Sequence, residues 1–345
     1  MSYSDQPRGI ATSGGELALI EKIRRASAAR PLGRVRLGIG DDCAVLRPPP
    51  GHELLVTTDL CLEDRHFRRD WHTPESAGHR CLARGLSDLA AMGATPLAAF
   101  LSLAVPSGID RTWLDHFFLG LRALADEARV PLAGGDTAQS PSSHVLADIV
   151  LIGSAPFGRA LQRSTARPGD LLYVTGSLGG AAAELLSLQS RSASPETRSA
   201  PKPSPTQPHP QLFPAPRLKV GATLLRRSLA TACIDISDGL SSDLQHLCNA
   251  SHLSAELHLD RLPIHPLAAG DLNAAGDLNI ALHGGEDYEL LFAAAPSKKI
   301  PRSIAGVRIT QIGTFIHRST KPAVTAIDRS GGRSPLTPAG WEHRI

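Results

Sequence analysis

The chain has 345 residues, of which 42% are hydrophobic and 20% are charged, and its formal net charge is +3. This length favours two domains over one, and the composition is typical of an ordinary globular protein. The small net charge and the 4% aromatic content give neither a basic stripe nor a stacking platform, so nucleic acid is not an expected partner. No apolar run is long enough to predict a membrane span.

The five cysteines are scattered along the chain and lack the paired spacing of a zinc site. An odd, scattered set is typical of a reducing compartment, and the first residues lack the apolar core of a signal peptide. We therefore expect a cytoplasmic protein whose thiols are unpaired.

The first half of the chain alternates helical and strand patterns. Residues 15–29 predict a helix, and HELLVTTDL predicts a strand. Thr73 precedes Pro74, which is the order of an N-cap and a first helical residue, so a helix should run from there through RCLARGLSDLAAMG. A strand at LAAFLSLAV, an amphipathic helix at DRTWLDHFFLGLRALADEA and a strand at HVLADIVLIGSA should follow.

A second block begins at GDLLYVTG, where a predicted strand leads into the glycine-rich turn 176–180 and then into a helix. The same order of strand, turn and helix returns at CIDISDGLSSDLQHL. Further strands are expected at AELHL, EDYELLFAA and ITQIGTF. These patterns predict an α/β fold of the α+β type with two domains, residues 1–153 and 154–345.

Residues 190–216 interrupt the second block and hold eight of the 27 prolines. Their few apolar side chains cannot offset the entropy of ordering the segment, so we expect a flexible Pro/Ser-rich insertion. A proline-rich ligand for a partner domain is the alternative interpretation.

The most informative pattern is a set of acidic residues beside glycine, serine or threonine, close to apolar strands or helices. Six motifs carry it: GIGDD at 38–42, TTD at 57–59, SD at 87–88, GGDT at 134–137, DISDG at 235–239 and GGED at 284–287. Carboxylates that converge repel each other unless cations lie among them, and Mg²⁺ takes hard oxygen ligands together with substrate phosphates. Neighbouring glycines let backbone N–H groups approach phosphate oxygens. The set therefore indicates metal–nucleotide chemistry.

Each motif taken alone has a simpler interpretation. Asp238 suits a helix N-cap, Asp88 suits a solvated helix face, and two threonines at 57–58 are ordinary strand composition. Spacing alone therefore leaves metal–phosphate binding and plain turns both open. The P-loop and protein-kinase motifs are absent from the sequence, which argues against those two nucleotide chemistries.

Seven motifs, in their order along the chain, resemble those of the bacterial thiamine monophosphate kinase family. They are GIGDDCAVL, TTD with the later His66-Phe67, LSDLAAMGATP, GGDT, GRALQRSTARPGDLLYVTG, IDISDGLSSDL and GGEDYEL. The resemblance extends from about Gly14 to Trp341, apart from the insertion. That family belongs to the superfamily of aminoimidazole ribonucleotide synthetase, selenophosphate synthetase and the hydrogenase maturation carbamoyl dehydratase.

The resemblance implies an architecture and a reaction. The N-terminal domain would bind ATP and Mg²⁺, and its sheet would form a barrel with that of a second subunit across a homodimer. The C-terminal α/β domain would complete the molecule. The implied reaction is direct in-line phosphoryl transfer from ATP to thiamine monophosphate, with several Mg²⁺ ions and without a phosphoenzyme, as a step in thiamine diphosphate biosynthesis.

The resemblance also implies site residues. The metal ligands would be Asp42, Thr57, Thr58, Asp59, Asp88, Asp136, Asp235 and Asp238, and the nucleotide contacts would be Gly135, Asp136, Arg163 and Ser237. The acceptor contacts would be His66, Glu286 and Trp341, and catalysis would depend on Asp59, Asp136 and Asp238. Asp41 would support Asp42. Without the resemblance, His66 suits a strand-end histidine with a local hydrogen bond, and Trp341 suits a packing residue.

The expected chemistry explains why no catalytic histidine or cysteine stands out. A phosphate monoester has its second pKa at about 6, so at neutral pH the acceptor is already a nucleophile and needs no general base. Arg163 would add a fixed positive charge near the phosphates. Two alternatives stay open: another ATP-using enzyme of the same superfamily, and a silent nucleotide-binding protein in which the insertion is the functional element.

Overall fold

A computed structural model describes residues 16–28, 33–192, 209–269, 274–318 and 323–341. The helices are α1 Glu16–Ala28, α2 Pro74–Ala91, α3 Arg111–Ala128, α4 Gly180–Ser192, α5 Leu218–Arg226, α6 Leu240–Ser251 and α7 Ala274–His283. The strands are β1 Val35–Leu37, β2 Val45–Leu46, β3 His52–Leu62, β4 Thr95–Val105, β5 Leu132–Gln139, β6 Leu146–Pro156, β7 Leu171–Thr175, β8 Ala232–Asp235, β9 Leu253–His258, β10 Leu290–Ala294, β11 Ser303–Ile304, β12 Val307–His317, β13 Val324–Ile327 and β14 Arg333–Pro335. None of the helices in these ranges is both long and apolar enough to cross a bilayer.

Four strands form the first sheet, in the order β3-β6-β4-β5. Strand β6 pairs antiparallel with β3 and β4, and β4 pairs parallel with β5. Side chains alternate along β3: Leu55 and Cys61 are buried on one face, whereas Leu54, Val56 and Leu60 are 49%, 67% and 54% exposed on the other. Among the residues that the structure describes in this single chain, the sheet is open, with β3 and β5 at its edges.

Helix α2 lies between the first sheet and the second half of the chain. It contacts β3 and β6 on one side and α5 and β8 on another, so 13 of its 18 residues are buried. Its predicted start is confirmed, since Thr73 is the N-cap and its side chain accepts the Ser76 N–H at 3.2 Å. A Cβ on Gly78 would overlap the carbonyl oxygen of Phe117, so the backbones of α2 and α3 lie in direct contact.

Eight strands form the second sheet: seven lie in the order β14-β13-β9-β12-β7-β10-β8, and the eighth, β11, pairs with β12. Strands β9 and β13 are parallel, and the other pairs are antiparallel. Its core is apolar and fully buried around Ile234, Leu244, Ile312 and Phe315. Strand β8 ends at Asp235, on the side of this sheet that contacts α2.

Each long helix and strand predicted from the sequence is present, with ends that differ by a few residues. The elements that were not predicted include the short strands β1 and β2, the eight-residue strand β5 and the helices α5 and α7. Strand β6 continues through residues 153 and 154, where we placed the domain boundary, and that boundary stays a prediction.

The C-terminal part of the predicted flexible insertion is packed against the fold. Residues 209–216 are described, and Gln211 and Leu212 in this segment are buried. Glu184 on α4 accepts the Gln211 N–H at 2.8 Å, and His79 on α2 contacts the Pro214 carbonyl oxygen at 2.7 Å. The expectation of flexibility is therefore corrected for residues 209–216. This segment has few apolar side chains, but polar side chains of α2 and α4 form hydrogen bonds with its backbone. Residues 193–208 lie outside the described residues.

Candidate active site

Three carboxylates converge between β3, α2 and the end of β8. Thr57 and Asp59 lie on the helix-facing side of β3, and the Thr57 hydroxyl donates a hydrogen bond to Asp88 on α2. One residue earlier on the helix, the Ser87 hydroxyl donates to Oδ2 of Asp235 at 2.6 Å. We call Thr57, Asp59, Asp88 and Asp235 the inner cluster.

The inner cluster carries more negative charge than its surroundings neutralise. Burial, together with the charge of Asp88, raises the pKa of Asp59 to about 6 even though Arg84 acts in the opposite direction. Burial and Asp88 likewise raise the pKa of Asp235 to about 6, although the exposed Arg163 lies close enough to oppose the shift. An added cation would therefore stabilise this group of oxygens.

Glu286 forms a second site beside the inner cluster. Arg80 Nη2 donates to its Oε1 at 2.6 Å, and Gln211 Nε2 donates to its Oε2 at 3.0 Å. Burial favours the neutral acid, but Arg80 and Arg84 outweigh it and hold the pKa of Glu286 below its usual value. Glu286 is therefore a fixed carboxylate that is charged at neutral pH.

Arg84 joins the two sites. Its Nη2 lies 3.4 Å from Oδ1 of Asp59, and its Nη1 lies 3.4 Å from Oε1 of Glu286 and 3.0 Å from the hydroxyl of Tyr288. One guanidinium on α2 therefore contacts a carboxylate of the inner cluster and the carboxylate of the second site.

His66 lies on the Glu286 side of the site. Its Nδ1 accepts the Leu62 N–H at 3.0 Å, which is the local hydrogen bond of the simpler interpretation. Its carbonyl oxygen accepts from Arg80 Nε at 3.1 Å, and Arg80 also binds Glu286. The structure therefore brings His66 and Glu286 to the same arginine.

The two loops that carry DISDG and GGED are joined through their backbones. The Glu286 N–H donates to the Ser237 carbonyl at 2.8 Å, and the Asp243 carboxylate accepts the N–H groups of Ser237, Asp238 and Gly239 at 3.0–3.1 Å. Burial, with the charges of Asp235 and Asp238, raises the pKa of Asp243 to about 8. Asp243 therefore organises the loop that presents Ser237 and Asp238.

The C-terminal segment reaches the same loop. The Trp341 N–H donates to the Asp238 carbonyl at 2.9 Å, and the Gly340 N–H donates to Ser242 Oγ at 3.1 Å. The residue as a whole is 56% exposed. Trp341 is therefore fixed by its backbone while much of the residue stays accessible.

A cavity of about 610 Å³ lies at the β5 edge of the first sheet, between α1 and the loop at 38–44. Its lining includes Asp41, Asp42, Gly134, Gly135, Asp136 and Thr137. We call it the outer cavity. Gly135 has φ +146°, and a Cβ there would overlap the Leu101 carbonyl oxygen, so only glycine fits this approach of β5 to β4.

Two further predicted ligands, Thr58 and Asp136, lie on the other face of the first sheet. Thr58 Oγ1 donates to Oδ1 of Asp148 at 2.7 Å, and the strand register aligns Asp148 with Ser102 and Ser102 with Asp136. Aligned residues share a face, so Thr58 and Asp136 face away from Thr57 and Asp59. The predicted set is thus divided between the two faces of this sheet.

The last acid of GGED has a structural contact. Asp287 accepts the Gly179 N–H at 2.7 Å and the Ala181 N–H at 3.3 Å, so it binds the first turn of α4 after the glycine-rich turn. An internal carboxylate therefore occupies this helix N-terminus.

Sequence reasoning missed several polar residues of the site, namely Arg80, Arg84, Gln211, Asp243 and Tyr288. For the two arginines a signal was available: they are four residues apart in a helix otherwise rich in leucine and alanine, so they share one buried face. Gln211 was hidden in proline-rich sequence, and nothing local marks it.

Two family descriptions match successive parts of the chain. Residues 40–155 match the AIR synthase related protein, N-terminal domain, and residues 167–319 match the corresponding C-terminal domain. The fold and its site thus define an AIR synthase related protein of two domains.

Similar proteins narrow the class. Thiamine-monophosphate kinase of Salmonella typhimurium is 41% identical over 81% of this chain and 82% of its own length, and that of Bacillus subtilis is 34% identical over 84% and 88%. The crystal structure of thiamine-monophosphate kinase from Stenotrophomonas maltophilia superposes with a TM-score of 0.75 at 34% identity, covering 90% and 96% of the two chains. AaThiL, solved in complex with AMPPCP and TMP, gives 0.71 at 25% identity, covering 96% and 97%. The chain belongs to the thiamine-monophosphate kinase family.

Proposed function

We propose that this protein transfers the γ-phosphoryl group of ATP to thiamine monophosphate, giving ADP and thiamine diphosphate. The observation that carries the proposal is the inner cluster, whose buried and half-buried carboxylates are joined through Arg84 to the fixed carboxylate of Glu286. Membership of the thiamine-monophosphate kinase family supplies the identity of the two substrates.

The donor chemistry of the inner cluster fits Mg²⁺. Thr57, Asp59, Asp88 and Asp235 offer only oxygen atoms, and the mutual repulsion of their carboxylates calls for a cation. We assign further ligand roles to Asp42, Thr58, Asp136 and Asp238, as the family resemblance implies. Bound Mg²⁺ would neutralise phosphate charge and orient the γ-phosphoryl group.

The outer cavity is the proposed nucleotide site on the N-terminal domain. Its volume suits a ligand of nucleotide size. Gly134 and Gly135 of β5 line it beside Asp136, so a ligand there can approach both the strand backbone and this carboxylate. AaThiL was solved with AMPPCP, a nucleoside triphosphate analogue, which supports ATP as the co-substrate here. Arg163 and Ser237 are the proposed contacts from the C-terminal domain.

The acceptor site is proposed at Glu286, His66 and Trp341. The charge of Glu286 at neutral pH complements the cationic ring of thiamine, and the exposed indole of Trp341 offers a π face for the same ring. The acceptor's phosphate would then point towards Arg84 and the inner cluster.

Direct transfer follows from the acceptor's own charge. One of its phosphate oxygens is the nucleophile, so the chain needs neither a general base nor a covalent phosphoenzyme. The residues of the chain bind and align the two phosphates. Asp59, Asp136 and Asp238 are the aspartates on which we propose that catalysis depends.

We further propose a homodimer in which the first sheets of two chains form one barrel. The apolar side chains exposed on β3, namely Leu54, Val56 and Leu60, support it, because a second sheet would remove them from water. The five cysteines are free thiols, which supports the proposed location in the cytoplasm.

The test is a product assay with ATP, Mg²⁺ and thiamine monophosphate, with unphosphorylated thiamine as the control. Chromatography should show ADP and thiamine diphosphate in equal amounts, and little product from thiamine. Absence of thiamine diphosphate with the phosphorylated acceptor would refute the proposed function.

A further inference from the structure

Arg84 differs from its neighbour Arg80 in how its guanidinium is held. Arg80 is fully buried and donates at once to the His66 and Gln211 carbonyls and to Glu286, the last at 2.6 Å. These bonds occupy Nε, Nη1 and Nη2, so the role of Arg80 is structural.

Arg84 is held loosely by comparison. Its two carboxylate contacts, with Asp59 and Glu286, are each 3.4 Å, which exceeds the usual 2.7–2.9 Å of a charge-assisted hydrogen bond. Its Nε has no hydrogen-bond partner among the residues that the structure describes. The side chain is 17% exposed, whereas that of Arg80 is 0% exposed. The exposed part of the side chain gives a ligand access to this guanidinium, and the two long contacts of Nη1 and Nη2, rather than the buried Nε, leave donor capacity to offer.

The charge on Arg84 is permanent. A guanidinium keeps its proton over the whole working range of pH, and the carboxylates of Asp59 and Glu286 lie beside it. Any phosphate that enters between the two carboxylates meets a fixed cation that is placed there before binding.

We propose that Arg84 is a catalytic residue: its guanidinium binds the phosphate of the acceptor and the phosphoryl group in transfer, between Asp59 and Glu286. This inference rests on the proposed function and adds a residue to it. An oxygen of the acceptor's phosphate bonds to the γ-phosphorus while the bond from that phosphorus to the β,γ-bridging oxygen breaks. The electron pair of that bond leaves with ADP, and Arg84 neither gains nor loses a proton.

The placement explains why a cation is needed at this point. The acceptor and the nucleotide are both polyanions, and a guanidinium presents several N–H donors in a plane that matches phosphate oxygens. Fixed donors aimed at developing charge contribute about 10²–10³-fold to rate in other enzymes. We expect an effect of this size from Arg84.

The experiment compares Arg84→Ala, Arg84→Lys and a matched control, Arg333→Ala. Arg333 pairs with Glu256 on the exposed edge of the second sheet, away from the site. Arg84→Ala should lower kcat by about 10²-fold or more, and Arg84→Lys should recover part of that loss because it keeps the charge. Free guanidinium ion should partly restore Arg84→Ala and leave Arg333→Ala unchanged.

Binding provides a readout that needs no turnover. Calorimetric titration with thiamine monophosphate and with thiamine measures how much affinity the phosphate adds. In the wild type the phosphate should add affinity, and in Arg84→Ala that increment should fall by about tenfold.

The outcomes separate the two proposals. If the wild type makes thiamine diphosphate and Arg84→Ala keeps kcat within about threefold of it, the function stands and the role of Arg84 is overturned. A loss that neither lysine nor guanidinium restores, together with an unchanged phosphate increment, identifies a structural role and also overturns it. If the wild type makes no product, the proposed function fails, and the phosphate increment alone decides whether Arg84 binds phosphate.

Discussion

The inner cluster and the outer cavity hold their carboxylates in opposite ways. Asp235 is buried and Asp59 is largely so, and each has a hydroxyl or guanidinium group as its neighbour. In the outer cavity Asp42 and Asp136 are exposed, and the Asp136 carboxylate accepts the N–H of the next residue, Thr137, at 2.9 Å. The fold thus stores unfavourable charge in the inner cluster, whereas water solvates the acids of the outer cavity.

The difference teaches how to separate function from stability in this site. Removing a charge from the inner cluster should relieve repulsion in the protein without metal, while the same change in the outer cavity should leave the fold unaffected. Activity should fall in both cases if both regions bind the reacting groups.

The largest effect is expected for Asp59→Asn and Asp136→Asn. Each should lower kcat by roughly 10²–10³-fold. Without Mg²⁺, thermal unfolding should show a higher Tm for Asp59→Asn and a change below about 0.5 kcal/mol for Asp136→Asn. Asp115→Asn, on the exposed surface of α3, is the control. Activity within a few-fold of wild type for both site variants would refute the metal-ligand assignment.

Glu286→Gln should have the next largest effect, because it leaves the fully buried Arg80 without its carboxylate. We expect a loss of about 3–5 kcal/mol in the free energy of unfolding, measured by urea denaturation. Glu256→Gln, which breaks the exposed pair with Arg333, should cost less than about 1 kcal/mol. Similar losses for the two variants would contradict the importance of burial at Glu286.

The pH dependence of stability should carry a contribution from Asp287. Burial raises the pKa of this carboxyl from 3.8 to about 7 in the folded protein. Between these values the folded state holds a proton that the unfolded state has lost, so stability should fall as pH rises towards 7 and then level off. Denaturation from pH 4 to pH 8 should show a smaller fall in Asp287→Asn. Parallel curves for variant and wild type would contradict the assignment.

The smallest effect is expected at the start of α2, outside both regions. Thr73→Ala removes the side-chain acceptor of the Ser76 N–H and should cost about 1 kcal/mol in unfolding free energy. Thr73→Ser keeps the hydroxyl and should cost less. We expect kcat to be unchanged in Thr73→Ala, because the packing of α2 should keep the helix in place. A changed kcat would contradict this expectation.

Local patterns predicted much of the fold. The proline after Thr73 and the strand-type run HELLVTTDL each indicate their element locally, and both elements are present. The packing of residues 209–212 was not predictable from their own sequence. It depends on Glu184 of helix α4, whose carboxylate binds the His209 ring and the Gln211 N–H.

The site was predictable in part, for a similar reason. Short acidic motifs identify Asp59 and Asp235 because charge is unusual beside apolar strands. That Thr58 faces away from Thr57 follows from the two-residue period of a strand and was available from the sequence. That Asp88 meets Thr57, and that Arg84 meets Glu286, depends on how α2 lies across the sheet, which no local pattern encodes.

Helix α2 carries Arg84 towards Glu286 and Asp88 into the inner cluster, one turn apart. At 1.5 Å per residue, four residues span about 6 Å along the axis. If Arg84 holds the acceptor's phosphate and Asp88 holds a metal ion, as proposed, the distance between these two groups is set within one rigid helix. A rotation of one predicted domain against the other would change the contacts of Ser87 with Asp235 and of Arg84 with Glu286, but it would preserve the spacing of Arg84 and Asp88 on the helix. The separation proposed between the acceptor's phosphate and the α2 carboxylate would therefore survive such a motion.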